Sequence, residues 1–349
     1  MKGRVLVLDA VAGRQAAALM VDGRLEELAI DPDGDTPLPG AIFRAVADRP
    51  VKGQGGIFVK LPGGSGFLRQ ISGVAPGQRL LVQLSGPAEP GKALPVTTRL
   101  LFKSRFAIIT PDAPGLNISR RIKDEDLRAE LAEQAEAGMA GANPALGLIL
   151  RSACAEAEPD AVAEDIAAMR GLAEAILADT TGGPELLLDG PGAQDLAFRD
   201  WLDPPVDEAD TDPGSFDRHG LHDAIAELLS PRVSLEGGGH MQIEPTRALV
   251  AVDVNTGPDT TPAASLKVNI AAARELVRQL RLRGLGGQVV VDFAPMPKRD
   301  RSILDQVLKA AFKGDGEVNL AGWTTLGLYE LTRKRDRLPL AGLLTGLDP

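Results

Sequence analysis

Apolar and polar positions alternate over the first thirty residues, predicting three short antiparallel strands at Arg4–Leu8, Gln15–Met20 and Leu25–Ile30. The turn residues Ala12-Gly13-Arg14 and Asp22-Gly23 separate them, and Asp31-Pro32-Asp33-Gly34-Asp35 breaks the pattern. From Gly40 to about Thr98 follow short β-like runs at Ile42–Val46, Gly56–Lys60, Gly66–Arg69, Arg79–Leu84 and Leu94–Thr98, with Gly/Pro-rich turns between them. Small strands at that spacing predict a compact β-barrel. Residues 99–184 read as a strand at Phe106–Thr110, an acidic helix near Asp124–Ala137, a strand at Gly147–Leu150 and an Ala/Glu-rich helix from about Ala161 to Leu177. Glu185–Leu188 reads as a further strand, and the Asp/Pro-rich stretch Asp203–Asp217 as a loop. Asp9 reads as a turn residue, since no further carboxylates converge on it.

The last third is the most informative. Arg247–Asn255 (RALVAVDVN) is a continuous apolar strand, too apolar for a half-exposed sheet edge. A helix starts at Pro262, with Leu266, Ile270, Ala273, Val277 and Leu280 as one apolar stripe, and ends at Gly284 and Gly286-Gly287. A second apolar strand, Gln288–Phe293 (QVVVDF), follows. A strand, a helix and a strand so closely joined predict a right-handed crossover between parallel strands.

Each strand ends in a carboxylate, Asp253 and Asp292, near the carboxyl ends where open α/β sheets bind ligands. Two carboxylates side by side in an apolar setting repel and are costly to bury unless a cation joins them. Two carboxylates plus waters suit Mg²⁺, which keeps much of its hydration and contacts phosphate oxygens. Asn255 lies on the same side of its strand as Asp253 and can hydrogen-bond a carboxylate. The alternative is that each Asp only caps the segment after it. Basic residues surround the pair in sequence: Arg274, Arg278 and Arg281 along the helix, Lys298-Arg299 and Arg301 after the second strand, and the run Thr332–Arg337. Such clusters suit a phosphodiester, although each alone also reads as a solvated face.

Charge changes the picture once it is resolved along the chain. The 349 residues carry a formal net charge of −10, which taken whole argues against a polyanionic ligand. Residues 1–123 hold 17 Lys/Arg against 10 Asp/Glu, residues 124–230 hold 5 against 25, and residues 231–349 hold 16 against 13. All the excess acid therefore sits in a middle block, read as a solvated face, and the basic flanks leave a polyanion admissible, because binding follows the local field. The composition is that of folded domains, with no run long enough for a membrane span and no signal-peptide pattern, so a cytoplasmic protein is expected. One cysteine, Cys154, excludes an intrachain disulfide, and with three histidines it argues against a zinc cluster within one chain.

RALVAVDVNTG, RQLRLRGLGGQVVVDF and LGLYELTRKRDR resemble, in order and spacing, the catalytic region of the bacterial ribonuclease E/G family. The likeness is strong over about 231–340 and weaker but collinear upstream, at MKGRVLVLDA, GGIFVKLPGGSGFL, NISRRI, GLILRSA and AFRDWL. It implies an α/β multi-subdomain fold. A ribonuclease H-like part at 1–39 would be completed by 185–230, around an S1/OB-like barrel at 40–98 and a 5′-sensor region at 99–184. A DNase I-like catalytic subdomain at 231–340 and a tail at 341–349 would follow. It further implies a Mg²⁺-dependent endoribonuclease, with Mn²⁺ as a substitute, that cleaves single-stranded RNA to 5′-phosphate and 3′-hydroxyl ends. Asp253 and Asp292 would hold the metal, with Asn255 orienting Asp292. Phe58, Phe67 and Lys92 of the barrel would contact RNA, as would Arg120 and Arg121. Phe58 could equally be a core residue. Arg151 and Ser152, the latter in place of the family's Thr, would grip a 5′-monophosphate.

The departures from the family are equally specific. Its zinc-binding cysteine pair is absent, so no structural zinc is expected and any oligomer is not zinc-linked. The family's IDFIDM appears as VDFAPM, with Ala294 for the acidic residue two beyond Asp292; one of its two helix asparagines is Lys267 beside the retained Asn269, and a basic position before VNLAGW is Glu317. These motivate an alternative, an RNA-binding protein of the same fold with weak or no cleavage.

Overall fold

Two-residue turns with positive φ at both positions, Ala12-Gly13 (51° and 78°) and Asp22-Gly23 (50° and 77°), fold the N-terminus into a meander. Such turns match the twist of the strands they join, and glycine takes the second position without a Cβ penalty. The strands are Arg4–Val11, Arg14–Val21 and Arg24–Ile30, as the alternation predicts. The computed structural model describes residues 2–34, 36–51, 55–69, 73–87, 91–259 and 261–345. The last four residues of the predicted tail lie outside them.

A fourth strand, Glu208–Asp210, pairs in parallel with Arg4–Val11 and comes from the stretch that reads as a loop in sequence. The helix Ser215–Arg218 also lies there, and Asp9 explains its position. Asp9 stands within the first strand and is not a turn residue. Its carboxylate accepts hydrogen bonds from the backbone N–H of Ala10 (2.8 Å) and Phe216 (3.1 Å). Burial pushes the Asp9 carboxyl up, but these bonds and the Ser215 hydroxyl outweigh it and hold the group below its ordinary value.

The barrel is a closed, five-stranded OB-like barrel. Around it the order is Ile42–Val51, Gly56–Leu61, Gly64–Arg69, Leu94–Thr97 and Arg79–Leu84, which pairs back to Ile42–Val51. Inward residues such as Phe43, Ile57, Val59, Leu68, Val82 and Val96 fill it. Glu185–Leu188 is a strand as predicted, but it pairs with Ile42–Arg44 of the barrel and not with the N-terminal meander. Local sequence specifies the strand and not its partner. Between these segments, a four-stranded sheet ordered Gly115–Ile118, Leu146–Leu150, Ala107–Pro111 and Phe102–Lys103 packs against the helices Glu125–Gly138 and Pro159–Ala178.

The C-terminal sheet has six strands, in the order Arg232–Ser234, His240–Pro245, Leu249–Asn255, Gly287–Asp292, Tyr329–Arg333 and Val318–Trp323. The helix Pro262–Leu282 makes the crossover, and Leu249–Asn255 and Gly287–Asp292 are parallel neighbours as predicted. Sequence reading makes these strands buried on both faces, and the structure corrects this. Val250, Val252, Val254, Val289 and Val291 pack on this helix and on Arg301–Ala311, whereas Ala251 and Val290, on the opposite face, are only half-buried. Both helices lie on one side of the sheet. The buried helix face is likewise rotated from the predicted stripe: it runs through Val268, Ala272 and Leu276 with Ala273, Val277 and Leu280, and leaves Leu266 and Ile270 half-exposed.

Candidate active site

Period-two alternation and register together assemble the site. Asp253 pairs with Asp292 across the parallel strands, and Gln242 pairs with Asp253 across the antiparallel pair on its other side. Paired residues in a sheet project from the same face. Gln242, Asp253 and Asp292 thus form one row over three adjacent strands, with His240 and Asn255 paired in the next row. Val252, Val254 and Val291 point the other way into the core, which fixes the register, because a one-residue slip would bury both carboxylates and expose the valines.

Both carboxylates are exposed, so burial does not demand a counter-ion and that part of the sequence argument fails. What remains is their adjacency and the oxygen donors around it. Asn255 Nδ2 donates to Asp253 Oδ2 at 2.6 Å, so it orients Asp253 and not Asp292 as the resemblance implies. The Oε1 of Gln242 is buried and accepts no hydrogen bond. An orphaned acceptor beside two carboxylates fits a hydrated hard cation, which supplies the missing positive charge and the missing donors. Among the described residues no group of three or more His, Cys, Asp or Glu could hold a metal ion, so any cation there would rest on two carboxylates and water.

The end of the Asp292 strand is fixed from both sides. Asn269, fully buried in the crossover helix, accepts from Ala294 N–H and donates to Ala294 C=O, each at 2.9 Å. Phe293 packs in a cluster with Trp323 and Tyr329, at ring separations of 5.8 and 6.3 Å. Gly239 permits the turn beside the other strand: a Cβ there would lie 2.8 Å from Asn255 O and 2.3 Å from Val268 Cγ2. Lys267, where the family has an asparagine, is exposed and reaches toward this turn at Gly237.

The basic clusters divide. Arg278 is held by Glu275 and Leu25 O, and Arg281 by Glu26 and Glu27, so two of the three helix arginines tie the crossover helix to the N-terminal meander. In the Thr332–Arg337 run, Arg333 is buried in a two-point pair with Asp315 (2.7 and 3.0 Å), Lys334 pairs with Glu317 and Arg337 with Glu27. Lys298, Arg299 and Arg301, which follow the Asp292 strand, are candidates for a phosphate chain at the pair, and Arg301 stacks over Trp323 at 4.4 Å. A groove of about 1220 Å³ between the crossover helix and the meander is lined by Arg274 and Arg278, and not by Asp253 or Asp292.

On the barrel, Phe58 and Phe67 pair across neighbouring strands with ring centroids 5.2 Å apart, and Arg49 lies over Phe58 at 5.4 Å. Both rings stand on the outer face, half-exposed, while Ile57, Val59 and Leu68 fill the interior, so Phe58 is not a core residue. Lys92 is exposed, as is Arg120. In the sheet at 102–150, Arg151 is half-buried and donates to Ser104 O, Arg199 O and Asp200 Oδ1. Lys103 and Arg199 also pair with Asp200, at 2.8 and 2.9 Å. Ser152 and Arg121 both donate to Asp203. Cys154 is buried beneath them, and burial pushes its thiol up to about 11.

His240 and Gln242 are the site residues that sequence reading missed. Met241 and Ile243 alternate with them and point inward, which was the available signal, but the preceding Glu-Gly-Gly-Gly reads as a turn and masks so short a strand. Among the described residues no helix is long and apolar enough to cross a membrane.

The sequence matches the profile of the Ribonuclease E/G family over residues 102–215 and 206–336. A protein named Ribonuclease E from Nostoc sp. is 30% identical over 382 residues, covering 92% of this chain and 54% of its own length. One of the same name from Synechocystis sp. is 30% identical over 302 residues, with 75% and 44% covered. A Ribonuclease G from Escherichia coli is 24% identical over 411 residues, with 99% and 82% covered. The chain spans about half the length of the Ribonuclease E relatives it matches. The matched region holds both strands of the carboxylate pair, and the chain belongs to the ribonuclease E/G family.

Proposed function

We propose that the protein is an endoribonuclease that cleaves single-stranded RNA at the Asp253–Asp292 pair, leaving 5′-phosphate and 3′-hydroxyl ends. The observation that carries this reading is the register: two exposed carboxylates directly paired on parallel strands, one of them oriented by Asn255. Asp253 and Asp292 would hold Mg²⁺, or Mn²⁺ in its place. Bound there, the ion supplies Lewis-acid polarisation of a phosphodiester and makes a neighbouring water more acidic. The chain's own part is positional. Asn255 fixes the Asp253 rotamer, and Asn269 fixes the backbone beyond Asp292. The cations at 298–301 meet the phosphates on either side of the scissile bond.

RNA reaches this pair along the outer barrel face, where Phe58 and Phe67 offer stacking surfaces to bases and Arg49 and Lys92 offer charge to the backbone. Arg151 and Ser152 receive the 5′ end, with Arg121 3.2 Å from the Ser152 hydroxyl, and Arg120 and Arg121 contact the RNA chain. In this reading the meander with 208–230 is the ribonuclease H-like part, the barrel is S1-type, and 231–340 is the DNase I-like catalytic part. Cleavage of a single-stranded oligonucleotide with and without Mg²⁺, by the native chain and by Asp253→Asn, tests it. Mg²⁺-dependent cut products that disappear in the variant are expected. Equal cleavage by both proteins, or none by the native chain, overturns it in favour of RNA binding without cleavage.

A further inference from the structure

The site proposed to receive an RNA 5′ end already contains an anion, and the anion belongs to the chain. Arg121, from the segment after Gly115–Ile118, and Ser152, two residues beyond Leu146–Leu150, converge on a single oxygen, Oδ2 of Asp203. Arg121 Nη1 lies 3.2 Å from that oxygen and 3.2 Å from Ser152 Oγ. A hydroxyl has one proton to give, and that of Ser152 is given to Asp203. Arg151 is committed in the same way to Asp200 and to two backbone carbonyls. Four cations, Lys103, Arg121, Arg151 and Arg199, face two carboxylates, Asp200 and Asp203, and the carboxylates take the places that phosphate oxygens would take.

We propose that Asp203 is a built-in occupant of the 5′-phosphate grip, so that this chain binds single-stranded RNA with little regard to whether its 5′ end is phosphorylated. Carboxylate and phosphate draw on the same charge-assisted bonds from the same donors. A 5′-phosphate therefore gains only the difference between its contacts and those it displaces. The excess of four cations over two carboxylates still attracts an RNA chain in general, but it carries no preference for the terminal group. The inference rests on the reading of this cluster as the 5′-end site and does not depend on catalysis at Asp253.

The test measures affinity, with cleavage by the native chain as a separate control. One oligonucleotide, prepared with a 5′-monophosphate or a 5′-hydroxyl, is bound by anisotropy to Asp253→Asn protein carrying Asp203, Asp203→Asn or Asp203→Ala. With Asp203 present the two affinities agree within about twofold, and Asp203→Ala, which frees the hydroxyl and the guanidinium, raises the preference for 5′-phosphate to about tenfold. Asp203→Asn removes the charge but keeps the shape, and gives an intermediate ratio even if the alanine variant folds poorly. A strong 5′-phosphate preference with Asp203 in place, or ratios unchanged in both variants, overturns the proposal. Absence of Mg²⁺-dependent cleavage by the native chain, with ratios that still respond to Asp203, overturns the nuclease reading and leaves this one standing.

Discussion

Replacing Asn269 with alanine tests whether the candidate site is held by its own backbone. The Asn269 side chain is fully buried and makes two 2.9 Å hydrogen bonds to the N–H and C=O of Ala294, two residues beyond Asp292. Removing it strands a donor and an acceptor in an apolar setting, at about 1–3 kcal/mol each. Alanine is the better helix former by about 0.5 kcal/mol, too little to offset that loss. A net destabilisation of about 2–4 kcal/mol follows for the C-terminal subdomain, after some recovery by water entering the space. The chain has two tryptophans, Trp201 and Trp323, and Trp323 lies in the cluster with Phe293. In a Trp201→Phe background, urea unfolding followed by fluorescence therefore reports on this subdomain. The same variant should need more Mg²⁺ for half-maximal cleavage, because the strand end carrying Asp292 is no longer clamped. Asn269→Leu separates the causes: it fills the space but leaves both Ala294 groups unpaired, so it should be no more stable than alanine. A loss below about 1 kcal/mol for alanine, or native stability for leucine, would show that the clamp is not what fixes the strand.

Two further outcomes follow from the structure. Phe58→Ala and Phe67→Ala should each weaken binding of single-stranded RNA by about 1–3 kcal/mol in anisotropy titrations, with little change in unfolding because both rings stand outside the barrel interior; a large stability loss with unchanged affinity would assign them to packing. The Asp200 carboxyl is pushed up by burial, but hydrogen bonds and charge from Arg199 and Lys103 outweigh this and hold it well below its ordinary value of 3.8. With the folded value depressed, its stabilisation is fully present above the unfolded value and lost as pH falls below about 4. Fluorescence of buried Trp201, followed on acidification in a Trp323→Phe background, should thus show an acid transition that Asp200→Asn flattens, and identical curves would refute the assignment.

Much of the fold is legible because its signals are local. The meander is set by two turns that require positive φ, the barrel by short strands at regular spacing, and the crossover by two valine-rich runs around one amphipathic helix. Partnership is not local, and there sequence reading failed. Glu185–Leu188 has the composition of a strand but nothing in it names the barrel as its neighbour. Arg278, Arg281 and Arg333 have the same charge as Arg299, yet Arg281 and Arg333 are held by carboxylates distant in sequence and Arg278 by the distant Leu25 carbonyl, whereas Arg299 stays 86% exposed, with a pairing at 3.7 Å to the adjacent Asp300. The number of layers on the sheet is equally invisible, since a run of valines does not say whether helices lie on one face or on both.

That one-sided packing is what makes the carboxylate pair usable. Had helices covered both faces, as the apolar runs suggest, Asp253 and Asp292 would each need a partner inside the protein, and a phosphodiester could not reach them. With both helices on the valine face, the opposite face is free to carry the polar rows Gln242–Asp253–Asp292 and His240–Asn255. The same register therefore serves stability and chemistry: each valine that anchors a strand in the core turns its aspartate outward. What the register supplies is two carboxylates held side by side. For that reason the residues most worth changing are those that fix the strand ends, Asn255 and Asn269, alongside the aspartates themselves.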